Sequence, residues 1–170
     1  MAKVITFSRV FPSYHPRAGE PTHFVEAIIN SLYRFLPAPK EAVKLYDDPK
    51  FQSIRAKHHT IRAGHRFKAG DWFSPRVWSG KPYNSKQIIF APDTEVKKTW
   101  DFEICGFGAF NDAIITINGQ PPKQKMIPII SSNDGLTEAD FSDWFCLSPE
   151  FKKKKYFEGQ IICWNENINY

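Results

Sequence analysis

The sequence has few of the residues that build disulfide frameworks and membrane spans. Its 170 residues include three cysteines, Cys105, Cys146 and Cys163, and no CxxC pair. An odd count without that spacing argues against a disulfide scaffold or a cysteine-rich zinc site, so we expect a reducing, cytoplasmic environment. No apolar run is long enough to span a membrane, and the run that follows Met1 is too short for a signal peptide.

Histidine is also scarce, and its spacing argues against a metal centre. His58 and His59 are neighbours, so in a strand they point to opposite faces and cannot bind one metal ion. The other three histidines, His15, His23 and His65, have no regular spacing to that pair. We therefore predict no metal site and no cofactor. The formal net charge of +5 permits attraction to phosphates, but it is equally typical of an ordinary basic surface.

Aromatic residues make up 15% of the chain and favour β structure. The pattern predicts one α+β domain over residues 1–170, with about six mostly antiparallel strands in a bent sheet or small barrel. Two or three helices pack on it, including one over 22–35 with Thr22 as its cap and one that begins after Thr137. A further short helix is predicted over 51–55. Asn118-Gly119 predicts a tight hairpin turn.

One loop interleaves basic and aromatic residues in a way that suits nucleic-acid binding. In "RVWSGKPYNSK", Arg76, Trp78 and Tyr83 alternate with Lys81 and Lys86. Aromatic rings that stack on bases beside cations that contact phosphates are typical of single-stranded RNA sites. The alternative is an ordinary hairpin in which Trp78 lies in the core and Tyr83 packs on the loop.

Three segments in order carry a family resemblance: "KHHTIRAGHRFKAGD", "NDGLTEADFSDWF" and "FEGQIICWNE". Together they resemble the ASCH domain, a branch of the PUA-like superfamily, over about residues 54–166. The resemblance implies a small PUA-like β-barrel whose cleft binds a nucleoside or an RNA element. The segment at about 36–50 departs from the family pattern, and we interpret it as an insertion.

The resemblance also implies a reaction. Some ASCH proteins are amidohydrolases that remove the acetyl group from N4-acetylcytidine, with a lysine and a threonine three residues apart and a distant carboxylate. These positions correspond to Lys57, Thr60 and Asp134, where this sequence has Asp in place of the usual Glu. The resemblance therefore predicts a cofactor-free hydrolase acting on an acylated nucleoside. A non-catalytic module that binds RNA or a modified nucleoside is the alternative.

Each candidate also has a structural interpretation. Lys57 and Thr60 would face opposite sides of an ideal strand, so they converge only if Lys57 precedes the strand or a bulge intervenes. Otherwise Lys57 is a surface lysine and Thr60 an ordinary strand residue. Arg62 shares a face with Thr60 and either anchors a substrate oxygen or forms a strand-face ion pair. Asp134 either acts on the substrate or caps the start of a helix.

Overall fold

The computed structural model describes residues 1–33, 53–106, 113–123 and 126–170. These residues contain eight strands: β1 (Lys3–Thr6), β2 (His59–Ala63), β3 (Trp72–Trp78), β4 (Gln87–Ile89), β5 (Thr94–Glu95), β6 (Lys98–Cys105), β7 (Ile114–Ile117) and β8 (Tyr156–Cys163). They also contain four helices: α1 (Phe24–Tyr33), α2 (Met126–Asn133), α3 (Glu138–Cys146) and α4 (Pro149–Lys154). The predicted α+β class is confirmed, with more elements than the sequence pattern indicated.

The strands form two four-stranded sheets. In the first, β1 and β4 flank β3, and β5 also pairs with β3; the β1–β3 pair is parallel and the others are antiparallel. The second sheet has the order β2-β8-β6-β7 and is antiparallel throughout. The prediction of mostly antiparallel pairing is confirmed. Among the described residues, the strand ladders do not close into a barrel.

The core of the second sheet lies under helix α3. Alternate residues of β6 are buried on the helix side, and Phe102 is fully buried there. Its ring centroid lies 6.2 Å from that of Phe141 and 6.0 Å from that of Phe145. Thr137 caps α3, because its hydroxyl accepts a hydrogen bond from the Asp140 N–H at 3.0 Å. The prediction that a helix begins after Thr137 is confirmed.

The helix predicted over 22–35 forms as α1, but it begins differently from the prediction. Its first helical hydrogen bond runs from the Ala27 N–H to the His23 carbonyl at 2.9 Å, so His23 occupies the cap position. The Thr22 hydroxyl donates instead to the Ser8 carbonyl at 2.7 Å and ties the helix to the segment after β1.

The remaining predictions concern a turn, an insertion and a short helix. The Asn118-Gly119 turn is confirmed: both residues have positive φ, and the Ile117 and Gln120 backbones exchange two hydrogen bonds. The predicted insertion at about 36–50 and the start of the predicted helix at 51–55 lie outside the described residues. None of the described helices is both long and apolar enough to cross a membrane.

Candidate functional site

The acidic residue of the site sits at the end of a helix. Helix α2 closes with two backbone bonds, from the Leu136 N–H to the Ser131 carbonyl at 2.9 Å and from the Gly135 N–H to the Ser132 carbonyl at 3.0 Å. This is the Schellman arrangement, and it requires a residue with positive φ, which Gly135 supplies at +76°. These two bonds fix the position of Asp134, which lies between Asn133, the last residue of α2, and Gly135. The alternative that it caps the start of a helix is wrong.

The lysine of the site reaches Asp134 from the segment before β2. The Lys57 N–H donates to the Ala27 carbonyl at 2.9 Å, and the His58 N–H donates to the Asn133 carbonyl at 2.8 Å. These two bonds hold the segment between helices α1 and α2. Strand β2 begins only at His59, so Lys57 precedes the strand, which is the condition that its convergence with Thr60 requires.

Lys57 and Asp134 form a buried pair. The Lys57 Nζ lies 2.5 Å from Asp134 Oδ1, and it also donates to the Asp134 backbone carbonyl. It sits 4.3 Å from the centroid of the Phe24 ring, a cation–π contact. Lys57 is 1% exposed and Asp134 is 5% exposed, so the interpretation of Lys57 as a surface lysine is wrong. Its aliphatic stem packs on Gly135, where an added Cβ would lie 3.3 Å from the Lys57 Cβ.

Burial governs the protonation of this pair. Loss of solvation lowers the pKa of Lys57 to about 8, although the charge and hydrogen bond of Asp134 oppose the shift. Loss of solvation also raises the pKa of the Asp134 carboxyl against the opposing pull of Lys57 and Arg62. A lysine whose pKa lies near 8 supplies an appreciable fraction of neutral amine close to neutral pH, which is what a general base needs.

Thr60 and Arg62 lie on β2 beside this pair without joining it. Thr60 is buried and pairs in register with Ile162. No hydrogen bond within the described residues links the Thr60 hydroxyl to Lys57 or Asp134. Arg62 donates from Nη2 to the Thr6 carbonyl at 2.6 Å, and its Cζ lies 5.3 Å from the centroid of the Phe7 ring. The structure thus brings together two of the three predicted catalytic residues and places the third on the adjacent strand.

A cavity of about 760 Å³ opens beside these cations. Phe7, Phe24 and Trp78 contribute to its lining. The first two are the residues whose rings lie against Arg62 and Lys57, but neither cation is among the residues that line the cavity. The sequence pattern singled out Trp78 but not the two phenylalanines, since phenylalanine in a strand or at a helix start normally indicates core.

The other predicted binding residues occupy different positions. Tyr83 is 88% exposed, and its ring centroid lies 5.3 Å from that of Trp78. Trp78 itself is half-buried on the cavity wall. Arg76 is held within the hairpin, where its guanidinium donates to Gln87 Oε1 at 3.2 Å. Trp78 therefore lines the cavity and contacts Tyr83, which does not line it, whereas the Arg76 guanidinium is bound within the hairpin.

One site residue was missed by sequence reasoning. His59 is fully buried, its Nδ1 lies 2.8 Å from the Tyr170 hydroxyl, and its Nε2 lies 3.8 Å from Asp134 Oδ1. His58 precedes β2, so strand alternation does not apply to the pair, and its Nδ1 contacts Asn165 instead. In the described part of the chain, no group of three or more His, Cys, Asp or Glu residues is placed to hold a metal ion. The three cysteines are free thiols.

Comparison of the chain with family models, with curated proteins and with solved structures found no match in any of the three.

Proposed function

We propose that this protein is a small amidohydrolase of the ASCH branch of the PUA-like superfamily, acting on an acylated nucleoside such as N4-acetylcytidine. The buried contact between Lys57 and Asp134 is the observation that carries the proposal. These residues are 77 positions apart in sequence, and both correspond to reactive positions of the family that the sequence resembles. The small PUA-like barrel is part of the same proposal.

In the proposed reaction, neutral Lys57 removes the proton from the Thr60 hydroxyl. The Thr60 oxygen attacks the amide carbonyl carbon, and the oxyanion is held by backbone N–H groups or by Arg62. The carbon–nitrogen bond then breaks, and the proton carried by Lys57 passes by way of Asp134 to the departing amine. Water hydrolyses the Thr60 ester and releases the carboxylic acid. The Thr60 hydroxyl must approach the pair when substrate binds.

The cavity lined by Phe7, Phe24 and Trp78 is the proposed substrate site. Its apolar and aromatic walls suit a nucleobase, and stacking on Trp78 would orient the ring. Phe24 both lines the cavity and contacts the Lys57 amine, which does not line it, so the proposal requires the Phe24 ring to rotate and let the substrate carbonyl reach the amine. Catalytic groups often align only in the substrate complex.

A second candidate function is binding of single-stranded RNA or a modified nucleoside without chemistry. It is favoured by the exposed Tyr83 ring beside Trp78, in a loop that also carries Lys81 and Lys86. Binding of this kind would weaken as salt rises, because phosphate contacts release counterions. An amidohydrolase acting on a neutral free nucleoside would show little salt dependence.

The deciding experiment measures the release of cytidine from N4-acetylcytidine, its 2′-deoxy form and longer-acyl analogues. We expect Thr60→Ala to reduce turnover by roughly 10⁴-fold, because the nucleophile is lost. Thr60→Ser keeps a hydroxyl and is the matched control. Asp134→Asn should reduce turnover by about 10²- to 10⁴-fold, because proton transfer to the leaving amine is lost.

The pH profile tests the role of Lys57. The working lysine is neutral and its pKa is lowered to about 8, so turnover should rise as pH increases through that value and fall below it. Equal activity of the Ala and Ser variants of Thr60 would contradict the role of Thr60 as the nucleophile. If no substrate is hydrolysed and RNA is bound in a salt-dependent way, the binding module is the correct function.

A further inference from the structure

His59 carries a buried ring nitrogen that has no hydrogen-bond partner. Nε2 makes no hydrogen bond to any described residue, and Asp134 Oδ1 lies 3.8 Å from it. The other ring nitrogen, Nδ1, lies 2.8 Å from the Tyr170 hydroxyl. Buried polar atoms without a partner are rare in native proteins and call for a specific explanation.

The neighbours of His59 determine where its proton resides. The Tyr170 hydroxyl accepts a hydrogen bond from Asn133 Nδ2 at 2.9 Å, and burial raises the pKa of this phenol, so it keeps its hydrogen. That hydrogen is therefore available to Nδ1 of His59, and a lone pair on Nδ1 would accept it. Burial and the nearby Lys57 charge lower the pKa of His59 well below its usual value, so the ring is neutral. Its single proton is then on Nε2, which faces Asp134.

The Nε2–H of His59 faces the Asp134 carboxylate, which is bound to Lys57, the proposed general base. Asp134 Oδ1 now accepts from Lys57 Nζ at 2.5 Å, and the His59 N–H stands too far away for a hydrogen bond. If Lys57 becomes neutral and turns to the nucleophile, a buried carboxylate would lose its cation. An unpaired buried charge is strongly unfavourable. A shift of about 1 Å would bring the His59 N–H within hydrogen-bond distance of Asp134.

We infer that His59 is a positioning residue that holds the Asp134 carboxylate through its Nε2–H when Lys57 leaves it, with the ring tautomer fixed by Tyr170 and Asn133. The inference rests on the proposed function. The charged groups that act on the Lys57–Asp134 pair are the two members of the pair themselves and Arg62 on β2, and the groups that act on His59 are Lys57 and His58. Because the His59 hydrogen bond forms only after Lys57 withdraws, it favours the neutral lysine.

Two substitutions of His59 separate the functions of its two nitrogens. His59→Gln places an amide N–H near the position of Nε2, whereas His59→Asn places its amide only near the position of Nδ1. We expect His59→Asn to lower kcat by about ten- to a hundredfold with KM unchanged, the effect of losing a hydrogen bond to a charged group. His59→Gln should remain within about threefold of wild type on the same basis.

Tyr170→Phe tests the tautomer without altering His59. The ring still packs against Trp100, with the two centroids 4.9 Å apart, but the hydrogen bond to Nδ1 is lost. We expect kcat to fall to the same extent as in His59→Asn. Tyr156→Phe is the matched control, because it removes a hydroxyl whose contact is Glu103 on the far end of β6 and should leave kcat unchanged.

Nuclear magnetic resonance gives readouts that need no substrate. Nitrogen shifts of the imidazole in the wild-type protein should show a neutral ring protonated on Nε2. The titration of the Lys57 amine should move to higher pH in His59→Asn and Tyr170→Phe but not in His59→Gln. A proton on Nδ1, or equal lysine titrations in the Asn and Gln variants, would overturn the inference. If no substrate is hydrolysed, these spectra still decide it, so its failure is distinct from failure of the proposed function.

Discussion

Two lysine–aspartate pairs in this protein have nearly the same geometry and very different surroundings. Lys57 Nζ lies 2.5 Å from Asp134 Oδ1, and Lys3 Nζ lies 2.6 Å from Asp71 Oδ2. The side chains of the first pair are 1% and 8% exposed, and those of the second are 41% and 18% exposed. The contacts are chemically equivalent, so differences between them come from burial.

The likeness extends to the other contacts of each lysine. Lys57 also donates to the Asp134 backbone carbonyl and lies 4.3 Å from the centroid of a phenylalanine ring. Lys3 donates to the backbone carbonyl of Arg66 at 2.7 Å and lies 5.1 Å from the centroid of Phe67. A glycine with positive φ adjoins each aspartate. The two lysines therefore make the same kinds of contact: with an aspartate carboxylate, with a backbone carbonyl and with a phenylalanine ring.

Burial reverses the direction in which the pKa of the aspartate shifts. The hydrogen bond from Lys3 lowers the pKa of Asp71, whereas loss of solvation raises the pKa of Asp134 despite its own lysine. Desolvation also lowers the pKa of Lys57 to about 8. An ion pair at the surface favours charge on both partners, but the buried one brings both partners closer to neutrality. Only the buried pair is suited to exchange a proton near neutral pH.

Removing each lysine should give the largest difference between the pairs. Lys57→Met leaves Asp134 buried without a cation, so we expect the free energy of unfolding to fall by about 3–5 kcal/mol. Lys3→Met should change it by less than about 1 kcal/mol, as is typical of exposed pairs. Urea unfolding followed by circular dichroism measures both values.

A double substitution is the control for this prediction. Lys57→Met with Asp134→Leu removes both buried charges, and we expect it to recover most of the stability lost by Lys57→Met alone. Equal losses for Lys57→Met and Lys3→Met would show that burial does not distinguish the two pairs.

Alanine at the two adjoining glycines should give an intermediate effect. Gly70 and Gly135 have φ of +88° and +76°, but an added Cβ meets nothing within 4 Å at Gly70 and meets the Lys57 stem at Gly135. Gly70→Ala should cost about 1–2 kcal/mol from backbone strain alone. Gly135→Ala should cost at least about 1 kcal/mol more, because the lysine must move. Thermal unfolding of the two variants side by side gives the difference, and equal shifts would count against close packing at Gly135.

Salt should give the smallest effect. Raising the ionic strength from about 0.1 M to 1 M shortens the Debye length from roughly 10 Å to 3 Å and screens exposed charges. The small stability difference between Lys3→Met and wild type should therefore disappear, whereas that between Lys57→Met and wild type should persist. Urea titrations at both salt concentrations test this, and a large salt response of the Lys57 variant would mean that water reaches the buried pair.

Local features of the fold were predictable from sequence because their causes are local. Thr137 caps its helix through a residue three positions on, and the Asn118-Gly119 turn depends on two adjacent residues with positive φ. The Lys57–Asp134 contact was indicated by a resemblance to known proteins and not by local pattern. The Thr22 cap was wrong by one position: the first helical bond is accepted by the His23 carbonyl, while the Thr22 hydroxyl donates to Ser8 and accepts from the Phe24 N–H at 3.4 Å.

The parts of the site that were missed depend on contacts between distant segments. Tyr170 and His59 are 111 positions apart, and no spacing rule connects them. The burial of Lys57 was likewise not predictable, since lysine is among the residues least often buried. Phe7 and Phe24 are core residues that also line the cavity, together with Trp78 of the β3–β4 hairpin.

The position of β2 at the edge of its sheet has a consequence for how the protein is made. Among the described strands β2 pairs only with β8, which the ribosome synthesises roughly a hundred residues later. Until residues 156–163 have emerged, β2 has no ladder, and His59 and Thr60 lack the neighbours that bury them. Pairing over so long a separation is slow, because a large loop must close before any contact forms. His59 and Thr60 therefore become buried late, after helices α2, α3 and α4 have been synthesised.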